Sequence, residues 1–150
     1  QIQNAQLDEG IFELALDPTK SLKAPIRQAE VPHLNFAPLK NSLARLKITA
    51  EKYNQTTGNR TLSAKNQTSV NQMLYMTERK LTRPHGLTGR SWYKHHIYAP
   101  GFYTGYGVKT LPGVREAIEQ ENYEEVTAQI TILSEVLNGF NSIVFSIKQN

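Results

Sequence analysis

The chain has no cysteine among its 150 residues, which excludes disulfide bonds, thiol catalysis and cysteine-ligated zinc. Aspartate is scarce too: Asp8 and Asp17 are the only two, both near the start. The four histidines, His33, His85, His95 and His96, form no HExxH pattern, and adjacent His95 and His96 point in different directions on most backbones. A two-metal hydrolytic site needs several carboxylates and histidines that converge, so no metal site is expected in this chain. No GxSxG, P-loop or GxGxxG occurs, and the chain carries no self-sufficient active site. No apolar run approaches the ~20 residues that span a bilayer, so neither a transmembrane segment nor membrane contact is expected.

A concentrated basic block is missing as well. The net charge is +4, but its cations are scattered along the chain, while acidic residues gather at Glu116, Glu119, Glu121, Glu124 and Glu125. Without a Lys/Arg cluster or a known recognition motif, a nucleic-acid partner is not expected. The carboxylates of Glu116, Glu119, Glu124 and Glu125 read as solvated faces and first turns of helices, where negative charge suits the helix dipole.

What is present fits one globular domain. A chain of this length buries about 68–70% of its unfolded surface, enough for a core without a metal or disulfide. Asn54, Asn59 and Asn66 each open an N-glycosylation sequon in a Thr/Asn/Gln-rich segment. Three such sequons together point to an extracellular or luminal surface, with coincidental spacing in a polar loop as the plainer reading. The chain opens on Gln1 rather than methionine, and the expectation is a processed chain or a piece of a longer one.

The periodicity predicts mostly helix. Residues 1–35 read as an N-terminal arm with one short helix around Ile11, Phe12, Leu14 and Leu16. From Pro38 to about Gln55, Leu39, Leu43 and Leu46 recur on one face, continued by Ala50 and Tyr53, with Asn35 as the cap. Gly58 and the sequons break that pattern. A second helix, from about Ser63 to Leu81, carries the stripe Val70, Met73, Leu74, Thr77 and Leu81. A helical turn restarts after Pro112-Gly113 with Val114 and Ile118 inward. The last helix has the seam Val126, Ile130, Leu133, Leu137, Phe140, Val144 and Ile147, with Asn122 and Glu125 as a capping box.

That helix bears a second apolar line at Ile132, Val136 and Ile143, so it is either central to a bundle or partly covered by another subunit. Gly139 costs about 1 kcal/mol in helicity relative to alanine, which close approach of a neighbouring helix would offset. The expected fold is all-α: a four-helix bundle with a long irregular crossover over residues 82–112. Six of the nine glycines lie between Gly86 and Gly113, and six of the thirteen aromatic residues between Trp92 and Tyr106, which marks the crossover as the binding candidate.

Three stretches make the chain recognisable. Trp92-Tyr93-Lys94-His95-His96-Ile97-Tyr98-Ala99-Pro100, followed by Tyr106 and Leu111-Pro112-Gly113, resembles a segment of the glutamate carboxypeptidase II and transferrin receptor family. Met73-Leu74-Tyr75-Met76-Thr77-Glu78-Arg79 and Tyr123-Glu124-Glu125-Val126-Thr127-Ala128-Gln129-Ile130 are similar to the helices on either side. The resemblance runs from about Phe36 to Ala128 and beyond, and implies the C-terminal helical dimerisation domain of that family over residues 36–150.

The resemblance implies a homodimer that also packs on a zinc-peptidase domain of the same protein, with zinc and all its ligands there and no cofactor in this chain. It implies that Ile132, Val136 and Ile143 face the dimer partner. His95, Tyr98 and Pro100 would anchor the crossover, with His95 in a structural role. In the family's peptidases a Lys-Tyr pair of this loop grips a substrate carboxylate. The tyrosine falls on Tyr106 and the lysine on Gly105, which supplies no cation; Lys109 is the nearby substitute. The function implied is a non-catalytic dimerisation domain that lends a loop to the peptidase pocket. The alternative is a receptor-like protein-binding module of a homologue whose peptidase domain is inactive.

Overall fold

The computed structural model describes residues 2–14, 17, 19, 24–57, 61 and 63–149. The chain divides into two compact units, Gln1–His33 and Leu34–Asn150.

The first unit holds α1 (Ile2–Asp8) and α2 (Ile11–Leu14), joined through Gly10 at φ +66°. One short helix is expected here; α1 is additional, and Leu16 lies outside the described residues. The Asn4 amide gives this unit its tie. It donates to the Gln28 carbonyl at 2.7 Å and accepts the Gln28 N–H at 2.9 Å, as a strand partner would.

The second unit starts with α3 (Ala37–Thr57), where Asn35 caps the helix by accepting the Ala37 N–H at 3.0 Å. Its inner face keeps most of the expected one, with Leu39, Leu46, Ala50 and Tyr53 half-buried. Leu43 is 58% exposed, whereas Ser42 and Thr49 are buried. Their hydroxyls donate to the carbonyls of Pro38 and Arg45, one turn back, so burial leaves no polar atom unmet. Small, self-satisfied side chains let α3 lie against the last helix.

Next, α4 (Ala64–Thr77) is capped by Ser63, which accepts the Asn66 N–H at 3.3 Å. Of its expected stripe Val70 is buried, Met73 and Thr77 are half-buried, and Leu74 faces outward. The helix tightens into a 3₁₀ turn over Glu78–Leu81 rather than running on as α-helix.

The crossover is not wholly irregular, so the all-α expectation is corrected to a mostly helical fold with a small sheet. Strands β1 (Tyr98–Pro100) and β2 (Val108–Thr110) pair antiparallel, Tyr98 opposite Thr110 and Pro100 opposite Val108. Three residues ending on a proline are too few to show a strand's alternation in sequence.

Helix α5 (Pro112–Glu119) follows, with Pro112 in its first turn after Leu111 in the left-handed region. Val114 points inward as expected, but Ala117 takes the place foreseen for Ile118, which is exposed. The last helix is α6 (Tyr123–Gln149). Asn122 caps it by accepting the Glu125 N–H at 3.2 Å, while the Glu125 carboxylate turns instead to Thr88 and Gln129, so only half the capping box forms.

The α6 seam is the spine of the unit. Val126, Ile130, Leu133, Leu137 and Ile147 are buried, and Phe140 and Val144 are half-buried. The helix packs on α3, α4 and α5, and the core gathers Val114, Ala117, Val126, Ile130 and Leu133 under Phe36, Leu39 and Ile97. Over Tyr123–Ile147, α6 is long and apolar enough by length and composition alone to cross a membrane. That corrects the expectation that no segment reaches such a length, although the core helix of a packed domain meets the same criterion. Among the described residues no neighbouring helix closes on Gly139: a Cβ there would meet nothing of another element within 4 Å.

Candidate functional site

The crossover leaves α4 through the 3₁₀ turn and is held to it by a bridge between Thr82 and His95. His95 Nδ1 accepts the backbone N–H groups of Ile97 and Tyr98, each at 3.2 Å. With Nδ1 accepting, the ring proton sits on Nε2, which faces Glu78 Oε1 at 3.2 Å. The Tyr98 hydroxyl donates to that same oxygen at 3.0 Å, and the two rings lie 4.0 Å apart. The hydrogen bond to Glu78, followed by its negative charge, raises the Tyr98 phenol above its ordinary pKa. One exposed carboxylate thus meets two rings at the head of β1.

His96 turns the other way. It is buried, its backbone N–H donates to the Leu81 carbonyl at 2.9 Å, and its Nε2 has no hydrogen-bond partner among the described residues. Burial, then the charges of Arg83 and His95, push its pKa below the ordinary histidine value. The adjacency of two histidines signals the divergence but not which ring is buried.

Deeper in the crossover, Arg90 and Glu116 form a buried pair, 4% and 6% exposed. Arg90 Nη2 donates to both carboxylate oxygens, at 2.7 and 2.6 Å, and Nη1 donates to the Pro100 carbonyl. Glu116 Oε1 also accepts the Phe102 N–H at 2.9 Å. The guanidinium lies 5.4 Å from the ring centres of both Tyr93 and Phe102. Glu116 is therefore not on a solvated face, contrary to expectation; its partner 26 residues away turns α5 so that the carboxylate points inward.

Between β1 and β2 the chain projects. The Gly101 N–H donates to the Gly107 carbonyl at 3.0 Å and closes the segment's neck. Tyr106 stands at the tip, fully exposed, after Gly105 at φ +61°. Lys109 does not join it: its ammonium folds back onto Glu119 of α5, with the side chain 11% exposed. The structure thus keeps the two residues expected to bind substrate apart. Pro100 ends β1 half-buried, its carbonyl taken by Arg90.

The remaining expected sites lie elsewhere. Asn54 is exposed on α3 and Asn66 half-buried on α4, in helices rather than a loop, and Asn59 lies outside the described residues. On α6, Val136 is covered within the chain, while Ile132 and Ile143 are half-buried. Among the described residues no three His, Asp or Glu side chains are grouped so as to hold a metal ion.

Residues 34–144 match the profile of the transferrin receptor-like dimerisation domain. Over 45% of its length the chain is 41% identical to the probable glutamate carboxypeptidase LAMP1 of Arabidopsis thaliana, covering 11% of that protein. It is 31% identical over 45% of its length to the probable glutamate carboxypeptidase VP8 of Zea mays, covering 10%. It is 49% identical over 25% of its length to a probable glutamate carboxypeptidase of Arthroderma benhamiae, covering 5%. The aligned part of the chain thus spans about a tenth or less of these relatives.

Proposed function

The chain belongs to the transferrin receptor-like dimerisation domain family, and from that premise we propose that it is the self-associating module of a glutamate carboxypeptidase-like peptidase homologue, with a crossover loop that completes a neighbouring domain's substrate pocket. The chain itself contributes no catalytic group; zinc, if the parent uses it, is held outside these residues. The observation that carries this reading is the contrast within the crossover. Tyr106 is fully exposed at the tip, while His95, Tyr98, Arg90 and Glu116 hold the stem. A side chain presented to nothing in its own domain, on a fixed stem, suits a contact made outside it.

Gly105 precedes Tyr106 and Lys109 is engaged with Glu119, so the loop brings a phenol donor without a free cation beside it. Such a pocket binds an acidic C-terminal residue through one charge-assisted hydrogen bond from Tyr106. In the full-length protein, Tyr106→Phe is expected to raise KM about tenfold for a dipeptide ending in glutamate, with kcat little changed. Unchanged kinetics would remove Tyr106 from the pocket.

On this reading self-association runs through α6. Ile132 and Ile143 are half-buried on one face with Gly139 between them, beside Val136, which the chain already covers, and Gly139 leaves room for another backbone. In the assembled protein α3, α4, α5 and α6 form the four-helix bundle, away from the membrane, on the luminal or extracellular side where the sequons are accessible to glycosylation.

A further inference from the structure

We infer that the buried Arg90–Glu116 pair is the positioning element of the crossover loop: it sets where the segment from Gly101 to Gly107, and hence Tyr106, stands relative to the helical core. The consequence for substrate rests on the pocket role proposed above.

The segment cannot place itself. Its backbone-to-backbone hydrogen bonds are internal: Gly101 to Gly107, Gly105 to Gly101 and Tyr106 to Thr104. Tyr103 and Tyr106 at its tip are exposed. The β1–β2 ladder below it is three residues long, and an isolated two-stranded ribbon is marginal in water. The direction of the loop must therefore come from its root.

At the root, the two backbone groups flanking Gly101 are both taken by the pair. Arg90 binds the Pro100 carbonyl, and Glu116 binds the Phe102 N–H. Each partner is itself fixed. Arg90 closes a tight turn whose Leu87 is 2% exposed, with the Arg90 N–H on the Leu87 carbonyl at 3.0 Å. Glu116 rides on α5 between the core residues Val114 and Ala117. Phe102 then covers the guanidinium and shields these bonds from water.

Stability alone does not explain such a pair. Two buried charges repay their desolvation poorly, and apolar residues of similar volume serve a fold as well or better. What apolar residues lack is direction. The carboxylate and guanidinium aim charge-assisted bonds at two peptide groups, and that aim orients the loop.

The test uses the full-length protein with the double variant Arg90→Met/Glu116→Leu, which removes both charges and leaves neither unpaired. Glu116→Gln is the companion, since its amide oxygen can still accept the Phe102 N–H. The double variant is expected to keep wild-type amide exchange in α6, while exchange from Phe102 to Gly107 accelerates about tenfold. KM for a dipeptide ending in glutamate rises about as far as in Tyr106→Phe, with kcat little changed, and Glu116→Gln falls between it and wild type. Unaltered exchange from Phe102 to Gly107 in the folded double variant overturns the inference. Faster exchange, with KM unmoved in both the double variant and Tyr106→Phe, upholds the positioning role and sinks the pocket reading instead. A raised KM in Tyr106→Phe, with the double variant like wild type, overturns the positioning role and keeps the pocket.

Discussion

Gln129 places its Oε1 2.2 Å from where a β-carbon on Gly113 would fall. The glutamine is buried and cannot swing aside, because its amide donates to Glu125 at 2.8 Å and to Thr88 at 3.2 Å. The absent side chain at Gly113 is thus what lets the first turn of α5 lie against α6. Gly113→Ala is expected to destabilise the chain by about 1–3 kcal/mol, the usual range for overpacking a close contact. Urea unfolding measures it, and Gln129→Ala in the same chain should return part of the loss. Additive losses in the double variant would show that the two residues do not compete for one space.

His96 predicts an acid limb in the stability curve. Its pKa is depressed in the folded chain, so the unfolded chain binds the proton more readily. Stability is therefore full above the ordinary histidine value of about 6.5, falls as pH drops through it, and levels off below the depressed native value. Thermal unfolding followed downward from about pH 8 should show this slope, and His96→Leu should flatten it. An identical profile in that variant would assign the slope to other groups.

Glu78 links the two anchoring rings through one oxygen. Glu78→Ala removes both the acceptor and the charge, so the Tyr98 phenol should titrate closer to its ordinary value of about 10. NMR of ring-labelled tyrosine resolves the shift. A Tyr98 titration unmoved by the substitution would mean that the raised value has another source.

The α6 seam is legible because one helix repeats the same instruction over 27 residues, and any plausible packing must bury it. The inner face of α3 is only partly legible from hydrophobicity, which finds the half-buried Leu39, Leu46, Ala50 and Tyr53 but not Ser42 and Thr49. Ser42 and Thr49 become buriable only once their hydroxyls find carbonyls a turn back, and Leu43 yields its place to them. Glu116 looks like any carboxylate on a short helix, because the arginine that draws it inward is supplied by tertiary structure. The same holds for Glu78 and Tyr98, 20 residues apart and joined by a single hydrogen bond. In the crossover, the sequence marks which residues are unusual; their partners arise only when the 3₁₀ turn, the strands and α5 are brought together.

Gly139 couples two equilibria with opposite signs. For the isolated protomer, alanine at this position is a gain of about 1 kcal/mol, since glycine is the weaker helix former and, among the described residues, the added methyl meets nothing of another element within 4 Å. For two copies whose α6 helices approach along Ile132, Gly139 and Ile143, the same methyl is an obstacle. Gly139→Ala should therefore raise the unfolding temperature of dilute protein while shifting sedimentation equilibrium toward monomer. A rise in both melting temperature and self-association would move the contact to another face. Where the two shifts oppose each other, a glycine unfavourable to the helix that bears it is accounted for by selection on assembly rather than on folding.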